Sequence, residues 1–332
     1  MPVHAYVTAV ARIIKSGTLS KETVEEVLAS KDFKELAAVL WEKKIVTREG
    51  LNTPEAILTN LKERGVTILK SLSGLSKNSK IVNDLVDAYV GLMAVDELES
   101  LISYAISLER GMVSRRFSAE SNLTLLRAGL ESVSTLQSLV PVASNASRTL
   151  GDALVYAITK APKESSAPST ISNLVEAYIM RKVYNIAKSS RGDWQAPMKK
   201  ILCGYADYFA LSTAFALRSV EMEGCTVKDQ VKDAASGNPA LLYEAVKKTE
   251  LGKMIKSEKP LDALSELKVL AKRSARKGAY LAFQGTPFSP AAALAAAELI
   301  RLDYQDMAAI VTGVHAKLPR GEIAKLLSFE IL

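Results

Sequence analysis

Apolar positions recur along this chain with the period of an α-helix, and one stretch is apolar on nearly every side. From Tyr205 to Arg218 the sequence reads YADYFALSTAFALR. Tyr208, Leu211 and Phe215 fall at i, i+3 and i+7 on one face, while Phe209 and Leu217 put bulk on others. A helix apolar all round is buried by neighbours on several sides, so this stretch predicts a central core helix. Leu211 and Phe215 are its expected core residues. Two other stretches echo it. Glu97 precedes Leu101 by four residues in Tyr89–Ile106, as Asp207 precedes Leu211, and Asp303 precedes Met307 in Ala291–Val311. Acids recurring about every one hundred residues, each on an apolar helix, point to a triplicated helical module.

Helix punctuation supports the same reading. Ser30 is placed to cap a helix with Asp32 in its first turn and Phe33, Leu36, Ala37, Leu40 and Trp41 on one face. Lys43 and Lys44 sit near its end, where cations suit the helix dipole. Thr53-Pro54-Glu55 opens a helix carrying Ile57, Leu58 and Leu61 that Gly65 is expected to stop. Asn238-Pro239 opens another before Leu241, Leu242, Ala245 and Val246. Ser289-Pro290 opens a long Ala-rich helix that Gly313 is expected to end. Leu318-Pro319 starts a last short helix with Ile323, Leu326 and Leu327 inward. No run alternates in the manner of a strand with a two-residue turn, so the chain reads as all-α. Seams are expected at Arg115–Ser121 and in the loop after Arg218 through Gly224, giving helical repeats over 1–115, 116–222 and 223–332. Ala161–Thr170 reads as an exposed loop.

Composition narrows the chemistry. With 332 residues, 48% hydrophobic, 24% charged and 6% aromatic, the chain describes a helical globular protein long enough for two or three domains. The net charge of +7 permits an anionic partner. Yet the basic residues are scattered apart from Lys268–Lys277, which lacks interleaved aromatics and reads as a solvated helix face. Cys203 and Cys225 are too few for a disulfide framework and read as small apolar residues in a reducing compartment; Cys203, in an apolar stretch, is a poor nucleophile. The two histidines, His4 and His315, lie at opposite ends. No HExxH, CxxC, phosphate-binding glycine loop or GxSxG is present, so no catalytic, metal or cofactor residue is expected. Asp207 and Asp303 form an acid–base pair only if folding brings them together. Asn122-Leu-Thr and Asn145-Ala-Ser match the glycosylation pattern by chance. The opening lacks a secretory leader, and the uncharged run Ser132–Ser147 is too polar to span a bilayer.

Four stretches carry a resemblance to a known family. Tyr6-Val-Thr-Ala-Val-Ala-Arg12 precedes short helices marked by Leu19 and Leu28. Asp207, Leu211 and Thr213 match a repeated Asp-x-x-Asn-Leu-x-Thr…Arg helix. Pro287-Phe288-Ser289 precedes the Ala-rich helix, and Thr312-Gly313…Leu318-Pro319-x-Gly-Glu322-Ile323 closes the chain. Together they resemble the C subunit of archaeal A-type ATP synthases, related to the d subunit of V-type ATPases. The family's Asn is Ala210 here, its Arg is displaced to Arg218, and its final acid-rich helix becomes Ile300-Arg-Leu-Asp303 and Asp306-Met-Ala308. The resemblance implies three pseudo-threefold-related helical domains forming a funnel, without catalytic activity or cofactor. It implies one copy per complex, a socket between D- and F-type central-stalk subunits and the membrane proteolipid ring. The subunit would be peripheral, on the cytoplasmic face of the cell membrane, with no nucleic acid bound. Glu97, Asp207, Arg218 and Asp303 are then candidate socket residues, and Leu101, Leu211, Phe215 and Met307 candidate core. The alternatives are an unrelated helical scaffold and a basic nucleic-acid-binding helical protein.

Overall fold

The computed structural model describes residues 3–74, 79–112, 123–161, 167–190, 192–285 and 289–331. Among them are fifteen α-helices, three short 3-10 helices and no strand, which confirms the all-α class. In order these are α1 (Val3–Ser16), α2 (Lys21–Leu28), α3 (Phe33–Glu42), α4 (Pro54–Gly74), α5 (Lys80–Met93), α6 (Val95–Glu109), α7 (Leu139–Ala146) and α8 (Arg148–Lys160). They continue as α9 (Pro168–Ser189), α10 (Gln195–Leu217), α11 (Gln230–Ala235), α12 (Pro239–Lys247), α13 (Pro260–Ala282), α14 (Pro290–His315) and α15 (Arg320–Leu326). The seam expected at Arg115–Ser121 and the Pro287-Phe288 pair lie outside the described residues.

Local capping explains where several helices begin. Asn238 Oδ1 accepts from Ala240 N at 2.9 Å, Ser289 Oγ from Ala291 N at 3.1 Å and Thr53 Oγ1 from Ala56 N at 3.2 Å. In each case proline occupies the first helical position, where no N–H is required. At α3 the cap is Asp32, not Ser30: its carboxylate accepts from Glu35 N at 2.9 Å, and Glu35 reaches back to Lys31 N at 2.7 Å. Ser30 instead donates to Val27 O, closing α2. A carboxylate is the stronger acceptor at a helix N-terminus.

Glycine punctuation is overridden by packing. Gly65 is buried in mid-helix, and α4 runs on to Gly74 because its apolar face packs along α14. Gly313 likewise lies inside α14, where a Cβ would fall 2.6 Å from Ile323 Cγ1 of α15. The helix runs two residues further, to His315; Lys317 then takes φ 57°, and Leu318 N donates to Gly313 O at 2.9 Å in a C-terminal capping turn. In α15 Ile323 is buried, Leu327 just beyond it is also buried, and Leu326 is exposed. Trp41 is exposed on α3, while Leu36 and Leu40 face inward. The expected Ala161–Thr170 loop is shorter, since α9 already starts at Pro168.

The chain divides into two compact units. One comprises Met1–Val86, Arg191–Ile201 and Lys272–Leu332. Its spine is α14, which buries six alanines between 291 and 297 and packs against α1 and α4. Small side chains let helices approach closely while favouring the helical state. The other comprises Asp87–Ser190 and Leu202–Ala271, where α8 packs between α7 and α9 and α6 lies along α9.

Candidate functional site: three acids that hold three loops

The acids of the three echoing helices share one task. Glu97 on α6 accepts the amides of Leu125 and Leu126 at 2.9 and 3.0 Å. Asp207 on α10 accepts the amides of Cys225 and Thr226 at 2.6 and 2.8 Å and the Thr226 hydroxyl at 2.5 Å. Asp303 on α14 accepts the amide of Leu19 at 2.9 Å. Each carboxylate thus pins the backbone of a loop that leads into short helices: α7 and α8, α11 and α12, and α2 and α3 respectively. The first two acids hold loops downstream in the chain. The third reaches back 284 residues to the first loop.

The residue four positions after each acid is core. Leu101 and Leu211 are fully buried, and Met307 is nearly so. Phe215, expected in the core, is only partly buried. Its ring is covered by Arg218, whose guanidinium carbon lies 4.8 Å from the ring centroid. Arg218 ends α10 with φ 55° and is exposed; Gly237 leaves it room, because a Cβ there would meet the guanidinium directly.

Burial raises the Asp207 carboxyl above its ordinary value, and the Thr226 and Cys225 hydrogen bonds oppose that shift. Asp303 belongs to a larger cluster. Arg276 of α13 donates to Asp303 Oδ1 at 2.8 Å and to Asp306 Oδ2 at 3.3 Å, and its Nε donates to Ser328 Oγ at 2.6 Å. Asp306 in turn accepts from Ser328 N and Oγ at 2.9 and 2.6 Å. Two carboxylates therefore share one buried guanidinium. Burial pushes Asp303 up to about 6 even though Arg276 pulls it down, and Asp306 is raised for the same reason.

Arg276, Asp306 and Ser328 escaped the sequence reading. Arg276 sits in the basic run 268–277, expected to be a solvated face, but that run is split. Ala271, Ala275 and Arg276 are buried, and Lys268 pairs with Glu176 at 2.8 Å. The apolar spacing of Leu267, Leu270, Ala271 and Ala275 is the signal that places Arg276 beside a core face.

The cysteines also differ from expectation. Cys203 of α10 and Cys225 form a disulfide, with Cα atoms 5.2 Å apart. The turn after α10 folds Cys225 back beside the helix, a proximity that a separation of 22 residues does not reveal.

Chemically, each acid acts as an acceptor for protein groups. Asp207 and Asp303 are each engaged by their own loop rather than by one another. Among the described residues no group of three potential ligands could hold a metal, and no helix is long and apolar enough to cross a membrane. A family model described as ATP synthase (C/AC39) subunit matches residues 7–326. None of the curated proteins matches the chain.

Proposed function

Because the chain belongs to the ATP synthase (C/AC39) subunit family, we propose that it is the non-catalytic socket joining the central stalk of an archaeal-type rotary ATP synthase to its membrane proteolipid ring. The observation that carries this reading is the family match over nearly the whole chain. In it, one copy sits on the cytoplasmic face of the membrane, contacting D- and F-type stalk subunits on one side and the ring on the other. The repeats at 1–115, 116–222 and 223–332 are its three modules, arranged as a funnel.

The three acid-held loops support that organisation. A part that transmits torque has to be stiff, and packed helices have low compressibility. Loops pinned by buried carboxylates extend that stiffness to segments that otherwise move most. Glu97, Asp207 and Asp303 thereby serve the socket from beneath, by fixing loops, while exposed Arg218 remains a candidate for direct contact.

Native purification from membranes tests the assignment. The chain is expected to co-elute with ATP-synthase head subunits and proteolipid. Recovery alone, or on nucleic acid with salt-sensitive affinity, would reject it in favour of a scaffold or a nucleic-acid binder.

A further inference from the structure

The loop after α10 is held at two places. At its start Glu221 is ringed by α8 and α9: Lys160 Nζ lies 2.9 Å and Tyr156 Oη 3.3 Å from its carboxylate, and Arg181 donates to its carbonyl at 2.9 Å. At its far end the Cys225 and Thr226 amides dock on Asp207, and Cys225 is bonded to Cys203, one helical turn before Asp207. The loops docked on Glu97 and Asp303 are held in the same manner, and no cysteine occurs in either. Two of three such loops are therefore secured by a carboxylate without a covalent tie. Both cysteine residues are partly exposed. Reachable disulfides that the fold does not require are the ones that exchange.

We propose that Cys203 and Cys225 form a reversible thiol–disulfide site that sets how tightly this loop grips Asp207, with low-molecular-weight thiols and their disulfides as reaction partners. A small thiolate attacks one cysteine sulfur, breaks the S–S bond and forms a mixed disulfide. A second small thiolate attacks the outer sulfur of that adduct and releases the cysteine. The products are two cysteine thiols and one small-molecule disulfide; two electrons pass from the small thiols to the protein, and their two protons end on the cysteines. Oxidised glutathione runs the same exchange in reverse. With the bond broken, Cys225 keeps only its hydrogen bond to Asp207, and local opening at this end of the loop becomes more frequent. The Glu221 end keeps its contacts. This inference stands on the loop geometry and does not depend on the rotary assignment.

The test uses the full chain equilibrated in buffers of reduced and oxidised dithiothreitol. Thiols are counted by iodoacetamide alkylation and mass, and amide hydrogen exchange is followed residue by residue. Reduction is expected to expose two thiols with helix content unchanged. Exchange at Cys225 and Thr226 should rise by about tenfold or more, while Leu19, Leu125 and Leu126 keep their rates. Oxidised glutathione should restore slow exchange, and Cys225→Ser should exchange fast in every buffer. Unchanged exchange on reduction would overturn the proposal. So would reduction that occurs only on global unfolding, or thiols that oxidised glutathione fails to pair again.

Discussion

At the scale of single residues, a carboxylate that accepts three hydrogen bonds from one short loop has little capacity left for a ligand. Asp207 is in that position, and it is also almost fully buried. Replacing it with alanine strands the Cys225 and Thr226 donors, so Asp207→Ala should destabilise the isolated protein by about 3 kcal/mol. Leu211→Ala, one turn on, should cost about 2–5 kcal/mol through lost burial and a residual cavity. The two are told apart by limited proteolysis. Both variants should melt earlier, but only the loss of Asp207 should speed cleavage between residues 219 and 229. Wild-type melting of the Asp207 variant would return that residue to a direct interface role. Unchanged melting of the Leu211 variant would contradict its place in the core.

At the scale of elements, α13, α14 and the C-terminal segment meet at one cluster of buried charge. Asp303 and Asp306 face Arg276, and Tyr280 of α13 adds its own electrostatic influence on that guanidinium. With two carboxylates to one cation, the folded state favours holding a proton. Asp303 titrates at about 6 in the fold against 3.8 for a free aspartate. Between those values the unfolded chain releases the proton and the folded chain keeps it, so the unfolded state binds fewer protons. The resulting stability is fully present below pH ~4 and is lost as pH rises through about 6, on the order of 3 kcal/mol at most. Thermal unfolding at pH 4, 5 and 6 should therefore show a falling contribution that Asp303→Asn abolishes. Identical pH profiles in the two proteins would show that Asp303 is ionised throughout. Removing the cation is a harsher change: Arg276→Ala leaves buried Asp306 and largely buried Asp303 without that cation and should cost about 3–5 kcal/mol.

At the scale of the whole molecule, the net charge of +7 bears on how the proposed socket is held. A coaxial helical stalk calls for an apolar or mixed grip, whereas ring loops and anionic headgroups suit polar and basic contacts. Exposed charge contacts contribute only about 0–1 kcal/mol each and weaken as the Debye length falls from about 10 Å at 0.1 M salt to about 3 Å at 1 M. Raising salt on purified membranes should therefore release this subunit together with the stalk subunits, leaving the ring behind. Retention on the ring while the stalk departs would reverse the assignment of the electrostatic face.

The amino-acid sequence by itself determined the all-α class and the starts of helices at Pro54, Pro239 and Pro290, because caps and apolar periodicity act within a turn or two. It also marked the positions Glu97, Asp207 and Asp303 through their common spacing to an apolar residue. Only the tertiary structure decided what those acids hold. Their partners are backbone amides, which carry no identity in the sequence, and Leu19 lies 284 residues from Asp303. The same holds where burial overrode local preference. Gly65 stays helical within a helix that packs along α14, Gly313 stays helical where Ile323 of α15 fills the space it leaves, and Arg276 is drawn inward by two acids on another helix. Cys203 and Cys225 met only because the segment after α10 folds back alongside that helix. Local rules place helices, while the packing between them decides which charges, amides and sulfurs become neighbours.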